Sequence, residues 1–143
     1  MEEKVYIFSN EEFLILAAAT GIREMYGFEM NGVGEQTEEL LMNMQKLVTK
    51  GYLCAEGEKF LVQESVKSMF LQIKDVQTTI DVHKRSGKKC IVYIGDFGVR
   101  VSLSIRRKGM LEVQSIALAD IWNFLQEEGW IPMKEEVKEF DFS

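Results

Sequence analysis

The stretch from residue 78 to residue 117 constrains the fold most, because its hydrophobic residues recur at every second position, as in β-strands. Residues 99–106 (VRVSLSIR) show this best: one side carries Val99, Val101, Leu103 and Ile105, and the other carries Arg100, Ser102, Ser104 and Arg106. Residues 90–94 (CIVYI) are apolar on both sides, which is typical of a central strand. Connections of hairpin length join these runs to residues 78–85 and 110–117. The sequence therefore predicts a four-stranded antiparallel meander.

Helical patterns flank the predicted sheet. Ser9 followed by Glu12 forms a capping box that opens a first helix, and Gly21 ends it. Further helices are predicted over residues 35–50, 64–74 and 118–128, whereas residues 5–8 form either a short strand or an entry segment. The residues expected to pack are Leu40, Leu41, Met44, Leu47 and Val48 in the second helix, and Ile121, Trp122, Phe124 and Leu125 in the last. The fold class is therefore α+β, with one sheet face covered by helices and the other polar.

Residues 47–62 (LVTKGYLCAEGEKFLV) combine a helix end, a glycine stop and a short hairpin hinged at Glu56-Gly57-Glu58. This order is typical of a winged-helix domain. A helix that reads DNA needs basic or amide side chains toward the groove. Here the N-terminal half of the helix carries Glu38 and Glu39, and the tip of the wing carries Glu56 and Glu58. The pattern favours a winged-helix-like scaffold and disfavours DNA reading by this element.

The length of 143 residues suits one compact domain over residues 1–132, with a helical and wing part at 9–75 and the sheet with its closing helix at 76–132. Residues 133–143 are expected to be an acidic tail that either frays or docks on the basic hairpin ends. No apolar run reaches the length of a membrane span, and the acidic N-terminus lacks the pattern of a secretory signal. We therefore expect a cytoplasmic protein in which Cys54 and Cys90 are reduced and buried.

Catalytic motifs are missing from the sequence. His83 is the only histidine, and Asp81 shares its predicted strand face, but no further partner for a dyad or a metal site is evident. The GDFG run at residues 95–98 lacks the glycine-rich loop, strand lysine and HRD motif that accompany it in kinases, so it is interpreted as a hairpin turn. The prediction is a protein without enzymatic activity, cofactor or metal.

Charge is distributed unevenly along the chain. Residues 84–108 carry eight basic residues against Asp96 alone, an excess of seven positive charges in a chain of net charge −6. In a meander the first and third turns lie at the same end of the sheet. The candidate partner-binding residues at that end are Lys84, Arg85, Lys88, Lys89, Arg106, Arg107 and Lys108. Three interpretations stay open: protection of strand edges, an acidic protein partner, or nucleic acid. Nucleic acid is disfavoured because neither basic turn contains an aromatic residue for base stacking.

The order of these elements resembles that of one half of the EspG-type chaperones of type VII secretion. The segments that carry the resemblance are EEFLILAAATGI, KLVTKGYLCAEGEKFLV, ESVKSMFLQI, the alternating strands with a basic hairpin, and IALADIWNFLQ, which together span most of residues 10–128. The resemblance implies a cytosolic protein that holds the helical tip of a secreted substrate. This chain has about half the length of such a chaperone, so the resemblance also implies a single-unit relative or a homodimer.

The leading hypothesis is a cytosolic protein-binding module, of the kind found among secretion-associated chaperones, whose partner is acidic or helical. The alternatives are a winged-helix transcriptional regulator and a small ligand-binding domain, in which the surroundings of His83 would be the place to look. None of the three requires a membrane.

Overall fold

The computed structural model describes residues 4–33, 35, 37–103 and 107–132. The strands are β1 (Val5–Ser9), β2 (Leu53–Glu56), β3 (Lys59–Val62), β4 (Thr78–His83), β5 (Lys89–Ile94), β6 (Gly98–Leu103) and β7 (Met110–Ile116). The helices are α1 (Asn10–Ala19), α2 (Glu38–Thr49), α3 (Glu64–Lys74) and α4 (Ile121–Glu127), the last preceded by a 3₁₀ turn at Leu118–Asp120. The predicted α+β fold is confirmed.

A five-stranded antiparallel sheet with the strand order β1-β7-β6-β5-β4 forms the frame of the molecule. The predicted meander is present as β4 to β7, in which each strand pairs antiparallel with the next. The N-terminal segment is a strand and not merely an entry segment, because β1 pairs with β7, from Val5 opposite Gln114 to Ser9 opposite Met110. The wing strands β2 and β3 form a separate two-stranded sheet.

One face of the sheet, called here the first face, packs against α1 and α3. Its strands contribute side chains such as Phe8, Val101 and Val113, and these join Phe13 and Phe70 from the helices in one buried cluster. The rings of Phe13 and Phe70 lie 5.2 Å apart between centroids. Alternation along the strands fixes this arrangement, since every second side chain of a strand points to the same face.

The N-terminus of α1 is closed by the predicted capping box. The backbone amide of Glu12 donates to the Ser9 hydroxyl at 3.1 Å, and the Glu12 carboxylate accepts from the Ser9 amide at 2.8 Å. Glu12 is only 2% exposed, and Lys50 at the end of α2 donates to the same carboxylate from 2.7 Å. The box therefore also joins α1 to α2.

The opposite face of the sheet, the second face, is divided into two halves. Over β4 and β5 it is apolar, and it forms a second buried cluster in which Cys90 and Val92 lie with Ile121 and Leu125 of α4. Over β6 and β7 it is polar, with Arg100 and other hydrogen-bonding side chains. The expectation of a wholly polar face was therefore wrong for the half that α4 covers.

Several apolar side chains that were expected to pack are exposed: Leu41 at 55%, Leu103 at 56% and Trp122 at 58%. In α2 the buried stripe is narrow, and Leu47 is the only fully buried residue of that helix. Trp122 follows Ile121 directly, and neighbouring helix positions differ by about 100° in direction, so both cannot face the sheet. Cys54 is exposed and not buried, because it lies on β2, whose side chains are exposed after Leu53.

None of the helices in the described parts of the chain has the length and apolarity needed to cross a membrane.

Candidate functional site

A cleft of about 850 Å³ opens between the polar half of the second face and α4. It is called the α4 cleft below. Its lining residues are Val5, Lys84, Lys88, Lys89, Arg100, Ser102, Leu103, Glu112, Gln114, Ser115, Ile116, Ala117, Asp120, Asn123, Phe124, Glu127, Glu128 and Trp130. Small-molecule pockets commonly have volumes of about 300–1,000 Å³, so this cleft is large enough to hold a ligand.

The floor of the α4 cleft is a cluster of hydrogen-bonded polar side chains centred on Arg100. Its Nε donates to Oε1 of Gln114 at 3.0 Å, and its Nη1 donates to the Ser102 hydroxyl at 2.8 Å. The same Nη1 lies 3.4 Å from Oε1 of Glu112, which makes a long ion pair. Arg100, Ser102 and Glu112 are all less than a tenth exposed.

Strand register explains why these four residues meet. Arg100 is the neighbour of Gln114 across β6 and β7, and Ser102 is the neighbour of Glu112. Directly opposed residues point to the same face of an antiparallel pair. Arg100 also opposes Val92 on β5, so the polar floor borders directly on the apolar cluster beneath α4.

The helix α4 forms one wall of the cleft. Asn123 and Glu127 are four residues apart on α4, and Asp120, at the N-cap, lies three residues before Asn123, so the three form one stripe along this wall. Between this stripe and the floor lies Phe124, whose ring centroid is 5.3 Å from the guanidinium carbon of Arg100. The wall therefore combines an aromatic contact to Arg100 with an acidic and amide stripe above it.

Lys84 lies at the end of the cleft where α4 ends. Its Nζ donates to the carbonyl oxygen of Glu128 at 2.9 Å and lies 4.4 Å from the ring centroid of Trp130. A lysine at this place satisfies a carbonyl at the helix C-terminus and interacts favourably with the helix dipole. Lys84 therefore holds the end of α4 against the first turn of the meander (residues 84–88).

The structure brings together only part of the predicted basic site. Lys84, Lys88 and Lys89 line the α4 cleft. Arg85, Arg107 and Lys108 are exposed but do not line it, and Arg106 lies outside the described residues. The first turn and the connection between β6 and β7 do follow strands of the same direction, β4 and β6, which both run antiparallel to β5.

Arg100 was not among the residues predicted for the site. The alternation placed it correctly opposite Val99 and Val101, but as a residue of a solvated face. A usable signal was present: Arg100 and Ser102 on one strand and Glu112 and Gln114 on a neighbouring strand form complementary polar pairs. Their convergence required the register of β6 against β7.

A second polar constellation surrounds His83, at the edge strand β4. The Tyr26 hydroxyl donates to Oδ2 of Asp81, and the Tyr93 hydroxyl donates to the carbonyl oxygen of Tyr26. Nε2 of His83 lies 3.0 Å from Oδ1 of Asp81, close enough for an ion pair when His83 is protonated, although Oδ1 accepts no hydrogen bond of good geometry among the described residues. Hydrogen bonding to Asp81 raises the pKa of Tyr26, and burial raises the pKa of Tyr93.

This constellation fastens the loop after α1 to the sheet. His83 is exposed, as expected, and no cluster of three or more histidine, cysteine, aspartate or glutamate side chains within the described residues could hold a metal ion. The two hydroxyl hydrogen bonds tie Tyr26 to β4 through Asp81 and to β5 through Tyr93. We therefore regard the α4 cleft as the candidate site.

Comparisons with known proteins give no relative: no protein-family model, no curated protein and no solved structure matches this chain.

Proposed function

We propose that this protein is a non-enzymatic protein-binding module whose partner lies in the α4 cleft. The observation that carries the proposal is the uncovered polar half of the second face. There a buried arginine, three lysines and two aromatic side chains line a single cleft. Interfaces commonly combine aromatic and arginine anchors at the centre with charged groups at the rim.

The charges of the site support a role in partner selection. Lys88 is exposed and Lys89 is half-buried where the first turn meets the cleft. Rim charges of this kind steer association and discriminate between partners more than they add affinity. An acidic group on the partner would meet these lysines, in keeping with the excess of positive charge in residues 84–108.

The resemblance to one half of the EspG-type chaperones gives this proposal a more specific form. A chaperone of that kind would hold a helical segment of a secreted substrate in the cytosol. The α4 cleft has a floor, a helical wall and an aromatic lining on which such a segment could lie. A homodimer, which would supply the second half, belongs to the same proposal.

Duplex DNA is a weaker candidate partner. The exposed residues Glu38 and Glu39 begin α2, and Glu56 and Glu58 flank the tip of the wing. Carboxylates at these positions would repel phosphate, whose neutralisation provides most non-specific DNA affinity.

Affinity capture from a lysate of the native organism, followed by mass spectrometry, tests the proposal. The double reversal Lys88→Glu with Lys89→Glu changes the charge beside the cleft. The matched control is Lys59→Glu with Lys67→Glu, which changes the net charge equally at two exposed lysines of β3 and α3 outside the cleft lining. A partner retained by the wild type and the control but lost in the cleft reversal is the expected result.

Hydrogen exchange on the captured complex locates the interface. We expect protection in β6, β7 and α4 when the partner is present. Equal capture by both reversals, together with unchanged exchange in these elements, would remove the α4 cleft from the proposal.

A further inference from the structure

Arg100 is a buried cation with hydrogen-bond donors to spare. Its side chain is only 9% exposed. Nε and Nη1 have the acceptors described above, on Gln114, Ser102 and Glu112. Nη2 has no acceptor among the described residues. Among the described residues, the fully buried side-chain atoms without a partner do not include Nη2, so this nitrogen is accessible in the cleft and its two N–H groups are available to whatever enters it.

The guanidinium group is held in place before any ligand arrives. Gln114 accepts from Nε and Ser102 accepts from Nη1, and the ring of Phe124 lies against the group. Three contacts on two strands and a helix leave the side chain little rotational freedom to lose on binding. Preorganisation of this kind increases affinity by lowering the entropic cost of association. Arginine donors form their strongest hydrogen bonds with carboxylates and phosphates.

The other charges in the cleft distinguish between these two anions. Among the described lining residues, four basic side chains are matched by four acidic ones, namely Glu112 on the floor and Asp120, Glu127 and Glu128 on the wall. A polyphosphate or a nucleic acid would be attracted by Arg100 but repelled by this acidic wall. A segment that carries one carboxylate and one basic side chain matches both charges.

Resting on the proposed function, we propose that Arg100 is the anchor for a mixed-charge segment of the partner. A carboxylate of that segment binds to Nη2 of Arg100, and a basic side chain of the same segment pairs with Asp120 or Glu127 on the α4 stripe. The partner is accordingly amphoteric at the contact and not uniformly acidic. The acidic partner was predicted from the basic turns alone, and the acidic wall of the cleft adds a basic group to that partner.

The test uses three capped alanine-based peptides as probes, with side chains four positions apart that are Glu and Lys, Glu and Glu, or Lys and Lys. NMR spectra of the full chain report the side-chain Nε–H of Arg100 and the indole N–H of Trp130, two groups inside the cleft. The Glu/Lys peptide is expected to shift both signals with an affinity about tenfold or more above that of the other two, the size of one charged hydrogen bond.

Two variants accompany the titration. Arg100→Gln should abolish the shift of the Trp130 signal, whereas Arg85→Gln, at an exposed arginine outside the cleft lining, should leave it unchanged. Arg100→Lys keeps the charge but lacks the fork of donors, and it serves if the glutamine variant does not fold. The side-chain Nε–H signal of Arg100 in the wild type reports binding directly, so this part of the test does not depend on whether a variant folds.

Three outcomes would overturn the anchor. They are an Arg100 signal unmoved by the Glu/Lys peptide, equal affinity for the Glu/Glu or the Lys/Lys peptide, and full binding by Arg100→Gln. Failure here is distinguishable from failure of the proposed function. If the Lys88 and Lys89 reversal loses the captured partner while Arg100→Gln keeps it, the binding module stands and the Arg100 anchor falls.

Discussion

Gly98 sets how closely α4 approaches the sheet, and Gly98→Ala tests that directly. The glycine begins β6 beneath the first turn of α4. A β-carbon at this position would lie 2.7 Å from Cδ1 of Ile121, 3.3 Å from its Cγ1 and 3.2 Å from Cγ1 of Val92. The backbone of Gly98 does not have a positive φ, so alanine is restricted here by packing alone.

The cost follows from two opposing effects. Overpacking a well-filled core typically costs about 1–3 kcal/mol. Replacing glycine by alanine also stabilises by about 0.4–1 kcal/mol, because the unfolded chain loses conformational entropy. We expect Gly98→Ala to lower the free energy of unfolding by about 1–2 kcal/mol. Since the shortest contact is to Cδ1 of Ile121, removing that atom should remove most of the penalty.

The double-mutant cycle with Ile121→Val carries the test. Ile121→Val alone should cost about 0.5–1.5 kcal/mol, and the double variant should cost about the same, which leaves a coupling of about 1–2 kcal/mol, the full cost of Gly98→Ala. Urea unfolding followed by circular dichroism gives all four free energies. A neutral Gly98→Ala would show that the side chain of Ile121 rotates away freely, and costs that simply add would show that the penalty does not come from Ile121; either result would mean that Gly98 does not position α4.

Two further predictions concern buried groups. Lys50→Met should lower the free energy of unfolding by about 2–3 kcal/mol, because it leaves the Glu12 carboxylate buried without its cation. Glu12→Gln should lower it by only about 1 kcal/mol, because Lys50 is partly exposed and can turn to water. Urea unfolding that gives the reverse order would contradict this. Cys54 should react with Ellman's reagent in the folded protein and Cys90 only after unfolding, since Cys54 is exposed and burial raises the pKa of the Cys90 thiol to about 11. Because the pKa of this thiol is higher in the folded state, its contribution to stability is complete below the ordinary thiol pKa near 8.5 and is lost as the pH rises toward 11. Urea unfolding across this pH range should therefore show a smaller loss of stability for Cys90→Ala than for the wild type.

Local signals predicted the secondary structure well. The Ser9 and Glu12 capping box, the helix over Glu64–Lys74 and the alternation of β6 depend on residues a few positions apart, and all three are present. Exposure was predicted less well. Leu41, Trp122 and Cys54 have the apolar character of core residues, but whether a neighbouring element covers them depends on contacts distant in sequence. Of the basic residues predicted for one end of the sheet, those of the first turn border the cleft, whereas Arg107 and Lys108, the described basic residues before β7, do not line it.

By itself, the sequence determined the period of each segment, the length of each turn and the polar side of each strand, because these follow from backbone geometry over a few residues. The tertiary structure alone decided that β1 joins the sheet, that α4 covers only half of the second face, and that Arg100 meets Ser102, Glu112 and Gln114 beneath Phe124. These contacts depend on strand register and on the docking of a helix across the sheet, and both are set by packing between segments far apart in the chain.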